Sequence, residues 1–187
     1  MMGRTRLWVL LTLFALSLVA LSRRTALQVW ASGASDGVRA LAGSAAPALP
    51  SDTHTLDGAP ITIDGLRGRV VLLHFWTFGC SSCAHLLPAY DAWDRTLRGR
   101  GMSIVGVHTP ELDVERDTEA LRRFARAQQL TWPIVVDADE AIWTRYHVAA
   151  WPTVVLIDRQ GVVRQTFVGD DTAPAIEAAL TTLLAAK

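Results

Sequence analysis

Val70-Val71-Leu72-Leu73-His74-Phe75-Trp76-Thr77-Phe78-Gly79-Cys80-Ser81-Ser82-Cys83 is the stretch that decides how this chain folds. Its first seven residues form a nearly continuous apolar run bounded by Gly68 and Gly79, the pattern of a strand buried on both faces. After the second cysteine, Leu86, Leu87, Tyr90, Trp93 and Leu97 recur at helical spacing and Gly99 supplies a stop signal. Pro88 predicts a kink within that helix. The two cysteines therefore fall where a central strand gives way to a helix.

Working outward toward the C-terminus, Ser103 to Val107 reads as a second buried strand, followed by a helix with one face marked by Leu121, Phe124, Ala125 and Gln128. The many Glu and Arg residues of that helix read as a solvated face. Pro133 to Val136 is a short strand, Ala141 to Tyr146 a short helix and Thr153 to Ile157 another strand. Asp158-Arg159-Gln160-Gly161 turns the chain into an antiparallel partner, Val162 to Val168. Pro174 opens a last helix with the core stripe Ile176, Leu180 and Leu183. The order β-α-β-α-β-α-β-β-α combines crossovers with a terminal hairpin, which predicts an α/β domain with a mixed sheet covered by helices on both faces.

Toward the N-terminus, Leu56-Asp57-Gly58 and the alternating Ala59 to Ile63 suggest a turn into a short hairpin or edge strand. Residues 25–51 are rich in Ala, Gly and Ser, with Pro47 and Pro50, and read as a tether in which a short helix around Val38 to Leu41 is allowed. Before them, Arg4 and Arg6 precede an apolar run from Leu7 to Leu21 that Ser22-Arg23-Arg24 closes. Residues 1–24 thus read as a signal peptide or an uncleaved membrane anchor, and both stay open: the run has signal-peptide length, yet no small-residue cleavage site follows it directly. Either way the domain, residues 52–187, is expected outside the cytoplasm.

Lys plus Arg and Asp plus Glu each number 18, so no basic excess exists to neutralise phosphates, and nucleic acid is not an expected partner. The only two cysteines are Cys80 and Cys83, so no thiol is left for a disulfide framework. A C-x-x-C at a strand-to-helix junction has a mechanism. Cys80 lies over the free N–H groups of the helix start, which favour its thiolate; Cys83, one turn later, can attack a mixed disulfide formed on Cys80. Ser81 and Ser82 add no charge and can donate weak hydrogen bonds to sulfur. Structural zinc lacks a full ligand set, and covalent haem would need His directly after Cys83, where Ala84 stands. A four-residue disulfide loop stabilises little. Two rivals persist. Thr77, three residues before Cys80, matches a peroxidatic T-x-x-C pattern, although Leu73 stands where proline is expected. Alternatively, Cys80, Cys83 and His85 or His108 could bind Cu(I) in a delivery module.

Val70 to Cys83, Trp151-Pro152-Thr153 and the order of elements resemble the thioredoxin-like superfamily. Phe75 to Cys80, Leu87-Pro88 and Val105-Gly106-Val107-His108-Thr109-Pro110-Glu111 are similar to TlpA/ResA-type redoxins, and more so to the thioredoxin-like module of DipZ-type proteins. The resemblance covers roughly residues 52–187. It implies a thiol–disulfide oxidoreductase acting on protein thiols, with reduction favoured, fed by a membrane electron donor of DsbD/CcdA type. No cofactor or metal beyond a redox-active Cys80–Cys83 disulfide is expected. The resemblance also implies that Pro152 is a cis-proline facing the dithiol, with Trp151 flanking the substrate, that Glu111 to Thr131 is an insert, and that Trp76 supports the site. Two departures stand out. His74 replaces a buried Asp, and could either take the proton of the second thiol or stay neutral and hydrogen-bonded in the core. Gly79 replaces an aromatic residue, which should leave Cys80 more open.

Overall fold

The computed structural model describes residues 36–186. The expected signal or anchor segment and the first part of the tether lie outside them. Among the described residues no helix is long and apolar enough to cross a membrane.

Strand β1, Val70–Trp76, is buried at every position and occupies the centre of a five-stranded sheet. It pairs in parallel with β2, Met102–His108, which pairs in parallel with β3, Ile134–Val136. On its other side β1 pairs antiparallel with β4, Thr153–Ile157, and β4 with β5, Val163–Val168, giving the order β3-β2-β1-β4-β5. This is the mixed sheet that the element order predicts. The helices are α1, Ser81–Leu97, α2, Thr118–Ala127, α3, Ala141–Arg145, and α4, Ala173–Ala185.

Alternation along β1 divides the core. Val70, Leu72 and Trp76 meet Leu86, Tyr90 and Trp93 of α1, Leu121 of α2, and Ile176 and Leu180 of α4. Each fully buried side chain of this kind contributes roughly 1.5–3 kcal/mol. Val71, Leu73 and Phe75 point to the opposite face, against Ile142 of α3, Tyr146 and the N-terminal residues Val38 and Leu49. The stripe of α4 runs through Ala179 and Leu184, while Leu183 is only partly buried. Pro88 lies within a continuous α1.

Residues 36–50 are the main correction to the sequence reading. They are built into the domain, which begins well before residue 52. A helical turn at residues 36–39 buries Val38 completely, and Leu49 is 6% exposed. Gly43 and Ala46 donate N–H groups to Val163 and Gly161 at 2.8 Å, and the Tyr146 hydroxyl donates to Pro47 O at 2.7 Å. The physical reason is coverage: α3 has only five residues, too few to shield the second face of the sheet alone. The expected hairpin is present in minimal form: His54 bridges Pro60 antiparallel, Thr55 donates to Ala59 O at 2.8 Å and Ile61 to Thr53 O at 3.3 Å, and the hairpin meets the edge of β3 through the Thr55–Val135 bridge and the Leu56 N–H to Ile134 O.

Candidate functional site

Cys80 is the N-cap of α1, with extended backbone angles, and its sulfur accepts the N–H of Cys83 at 3.1 Å. A cap of this kind satisfies one of the free donors of the first turn and points them toward the sulfur. Cys80 and Cys83 are joined as a disulfide, with Cα atoms 5.2 Å apart. Cys83 is 1% exposed and belongs to the same core cluster as Trp76 and Tyr90, whereas Cys80 is half-buried and open to a cleft. One cysteine can meet a partner and the other cannot.

The cleft has a volume of about 410 Å³; Gly79, Cys80, Ser81 and Ser82 form one wall, and Glu111, Ala149, Ala150 and Trp151 the other. The contact to the Cys80 sulfur comes from the backbone N–H of Cys83 rather than from a serine hydroxyl. The Trp151–Pro152 peptide bond is cis, and Pro152 is buried. Trp151 packs against Trp143 with centroids 4.3 Å apart and ring planes tilted by 33°, and donates its indole N–H to Thr109 O at 3.2 Å. Asp137 secures that neighbour: its carboxylate accepts the N–H groups of Ile142 and Trp143 at 2.9 Å and the Thr109 hydroxyl at 3.1 Å.

Trp76 supports the site from inside. Its indole lies across β2, where a Cβ on Gly106 would come within 2.8 Å of Nε1. Gly106 is therefore required by close approach. His74, six residues before Cys80, is 1% exposed and sits edge-on to Tyr90 at 4.7 Å. Burial lowers its pKa to about 3, and neither ring nitrogen has a hydrogen-bond partner among the described residues. Of the two sequence expectations for His74, the neutral core histidine is the one it matches, though without the expected hydrogen bond, and burial keeps its pKa well below neutral pH. The strand register places it opposite Gly106 and Val154, with apolar and aromatic groups around it.

Two contacts escaped the sequence reading. The Thr77 hydroxyl pairs with His108 Nε2 at 3.2 Å, away from the role that the peroxidase reading gave it. Burial pulls His108 down to about 4, although Glu115 acts in the opposite sense. Glu115 itself is the larger surprise, for it fills the room that Gly79 was expected to leave open beside Cys80. A Cβ on Gly79 would fall 2.0 Å from Glu115 Oε1, and that oxygen accepts the Gly79 N–H at 3.0 Å. Oε2 accepts the N–H groups of Glu111 and Leu112 at 2.7 and 2.9 Å. Burial pushes the Glu115 pKa up, but these backbone donors together with the Thr77 hydroxyl outweigh it and hold the group below the usual carboxylate value.

A model of the AhpC/TSA family matches residues 42–166. Protein DipZ of Mycobacterium bovis is 34% identical over 143 residues, covering 74% of this chain and 21% of that protein. Sporulation thiol-disulfide oxidoreductase A of Bacillus subtilis is 29% identical over 133 residues, covering 70% of this chain and 79% of the relative. The crystal structure of StoA from Bacillus subtilis matches with a TM-score of 0.60 at 28% identity, covering 72% of this chain and 97% of that one. The chain spans about a fifth of the DipZ proteins that it matches.

Proposed function

This chain belongs to the AhpC/TSA family, with a thioredoxin-like fold of the TlpA/ResA type, and from that premise we propose that it is a thiol–disulfide oxidoreductase that reduces disulfides of exported proteins. The observation that carries the proposal is the asymmetry of the dithiol: Cys80 caps a helix at the edge of a cleft, and Cys83 is buried one turn behind it.

In the reduced enzyme the Cys80 thiolate attacks one sulfur of a partner's disulfide. A Cys80–partner disulfide forms, and the partner's other sulfur leaves as a thiolate that takes up a proton. Cys83 then loses its proton and attacks the Cys80 sulfur, forming the Cys80–Cys83 disulfide and releasing the second partner thiolate. Two electrons pass to the partner. A membrane donor of the DsbD/CcdA type, itself oxidised from dithiol to disulfide, returns the pair to the dithiol. Trp151 and Pro152 form the wall against which the partner chain lies, and the Trp151 edge of the cleft supports that role. Ser81 and Ser82 keep the opposite wall small and uncharged. The arginine-flanked apolar run from Leu7 to Leu21 supports an extracytoplasmic location, with the membrane reached through that segment where it is retained.

The test is a trap. Reduced Cys83→Ser protein, mixed with an oxidised protein substrate, is expected to accumulate a reductant-sensitive adduct that mass spectrometry maps to Cys80. Absence of the adduct, or its formation by Cys80→Ser through Cys83 instead, would overturn the assigned roles.

A further inference from the structure

Gly79 and Glu115 are 36 residues apart in sequence and in direct contact behind the Cys80 wall of the cleft. The glycine and the carboxylate are a matched pair, since any side chain at 79 would collide with Oε1. What occupies the space beside the nucleophile is thus a charge. Glu115 is 3% exposed, and none of the ion pairs among the described residues includes it. Its neighbour Arg116 reaches Asp113 instead. His108, close enough to feel the carboxylate, is kept neutral by burial. The charge is therefore balanced by neutral dipoles, the backbone N–H groups of Leu112, Glu111 and Gly79 and the Thr77 hydroxyl, and by no cation among the described residues.

One of those dipoles belongs to the residue just before Cys80. The free N–H groups of α1 favour a thiolate on Cys80, and a nearby buried carboxylate opposes it.

Resting on the disulfide-exchange reading above, we propose that Glu115 is a positioning residue that seats the Cys80 loop and sets the redox potential of the dithiol. By disfavouring the Cys80 thiolate it disfavours the reduced pair relative to the disulfide, which makes the dithiol a stronger reductant. It also ties the Glu111–Thr131 segment to the residue that immediately precedes the reacting cysteine.

The experiment uses the full chain with Glu115→Gln and Gly79→Ala. The first removes the charge; the second adds a methyl that drives the carboxylate off the Gly79 N–H. For each, the Cys80 thiolate pKa is read from the pH dependence of alkylation by iodoacetamide, and the dithiol–disulfide equilibrium is read against glutathione at pH 8. In Glu115→Gln the thiolate pKa is expected to fall by about one unit, and the equilibrium to move about fivefold toward the dithiol. Gly79→Ala should shift both in the same direction by less, and it decides the matter if Glu115→Gln does not fold. Folded variants that keep the pKa within about 0.3 unit and the equilibrium within about twofold would overturn the proposal. Wild-type cysteines that fail to equilibrate with glutathione would overturn the disulfide-exchange reading beneath it.

Discussion

Two ionisable residues stand near the dithiol, and the protein treats them in opposite ways. His74, on the central strand, is buried among aromatic rings with both nitrogens unpaired, and burial makes it neutral. Glu115, on the segment between β2 and α2, is also covered from solvent but lies nearer the surface, receives three N–H donors and the Thr77 hydroxyl, and keeps its charge. Depth and the dipoles brought to a group together decide whether it is charged. The side of the site expected to handle protons is electrically silent, and the side expected to be empty carries the field.

Removing the charged partner should have the largest effect. Glu115→Ala leaves the N–H groups of Gly79, Glu111 and Leu112 without their acceptor, and a lost bond to a charged group costs at least about 1 kcal/mol for each donor. A loss of about 3 kcal/mol in urea-induced unfolding is expected. A loss below about 0.5 kcal/mol would show that water replaces the carboxylate freely and would erase the contrast.

Acid separates the two residues next. The folded-state pKa of His74 is about 3, below its ordinary 6.5, so below pH 6.5 the unfolded chain binds the proton more readily. Stability contributed by neutral His74 is complete above 6.5 and is lost as pH falls toward 3, by about 2 kcal/mol at pH 5. His108, lowered to about 4, adds to the same window. Glu115 is also lowered, from 4.5, so its contribution is present above 4.5 and is lost only at more acid pH. Unfolding curves across pH should therefore flatten between about 6.5 and 4.5 in His74→Phe, and only below about 4.5 in Glu115→Gln. Coincident windows would contradict the contrast.

The smallest effect is expected for His74→Phe at neutral pH. A neutral imidazole without partners gives up little on replacement, so stability should change by less than about 1 kcal/mol and the rate of disulfide exchange by less than about threefold. A large fall in rate at unchanged stability would restore His74 as a proton carrier.

These contrasts mark what the sequence could reveal. β1 was legible because seven consecutive buried residues have one reading, and β4 because Thr153 to Ile157 is bounded on both sides by turn residues. The cap position of Cys80 followed from the same junction. The packing of residues 36–50 was not legible: Val38 and Leu49 are isolated apolar anchors in an Ala- and Gly-rich stretch, too sparse to show a period. Nor was Glu115, whose partners are backbone groups, one of them 36 residues away and without a side chain to advertise it. His74 could be located but not characterised, since its state depends on partners it lacks.

The close, tilted pair of Trp143 and Trp151 gives the cleft an optical property of its own. Two indoles with centroids 4.3 Å apart share their excited states, and one of them forms the rim a partner would touch. Near-ultraviolet dichroism of that couple responds to its mutual orientation, so the protein carries a native chromophore pair at the edge of this cleft, and binding there would be followed in unlabelled material.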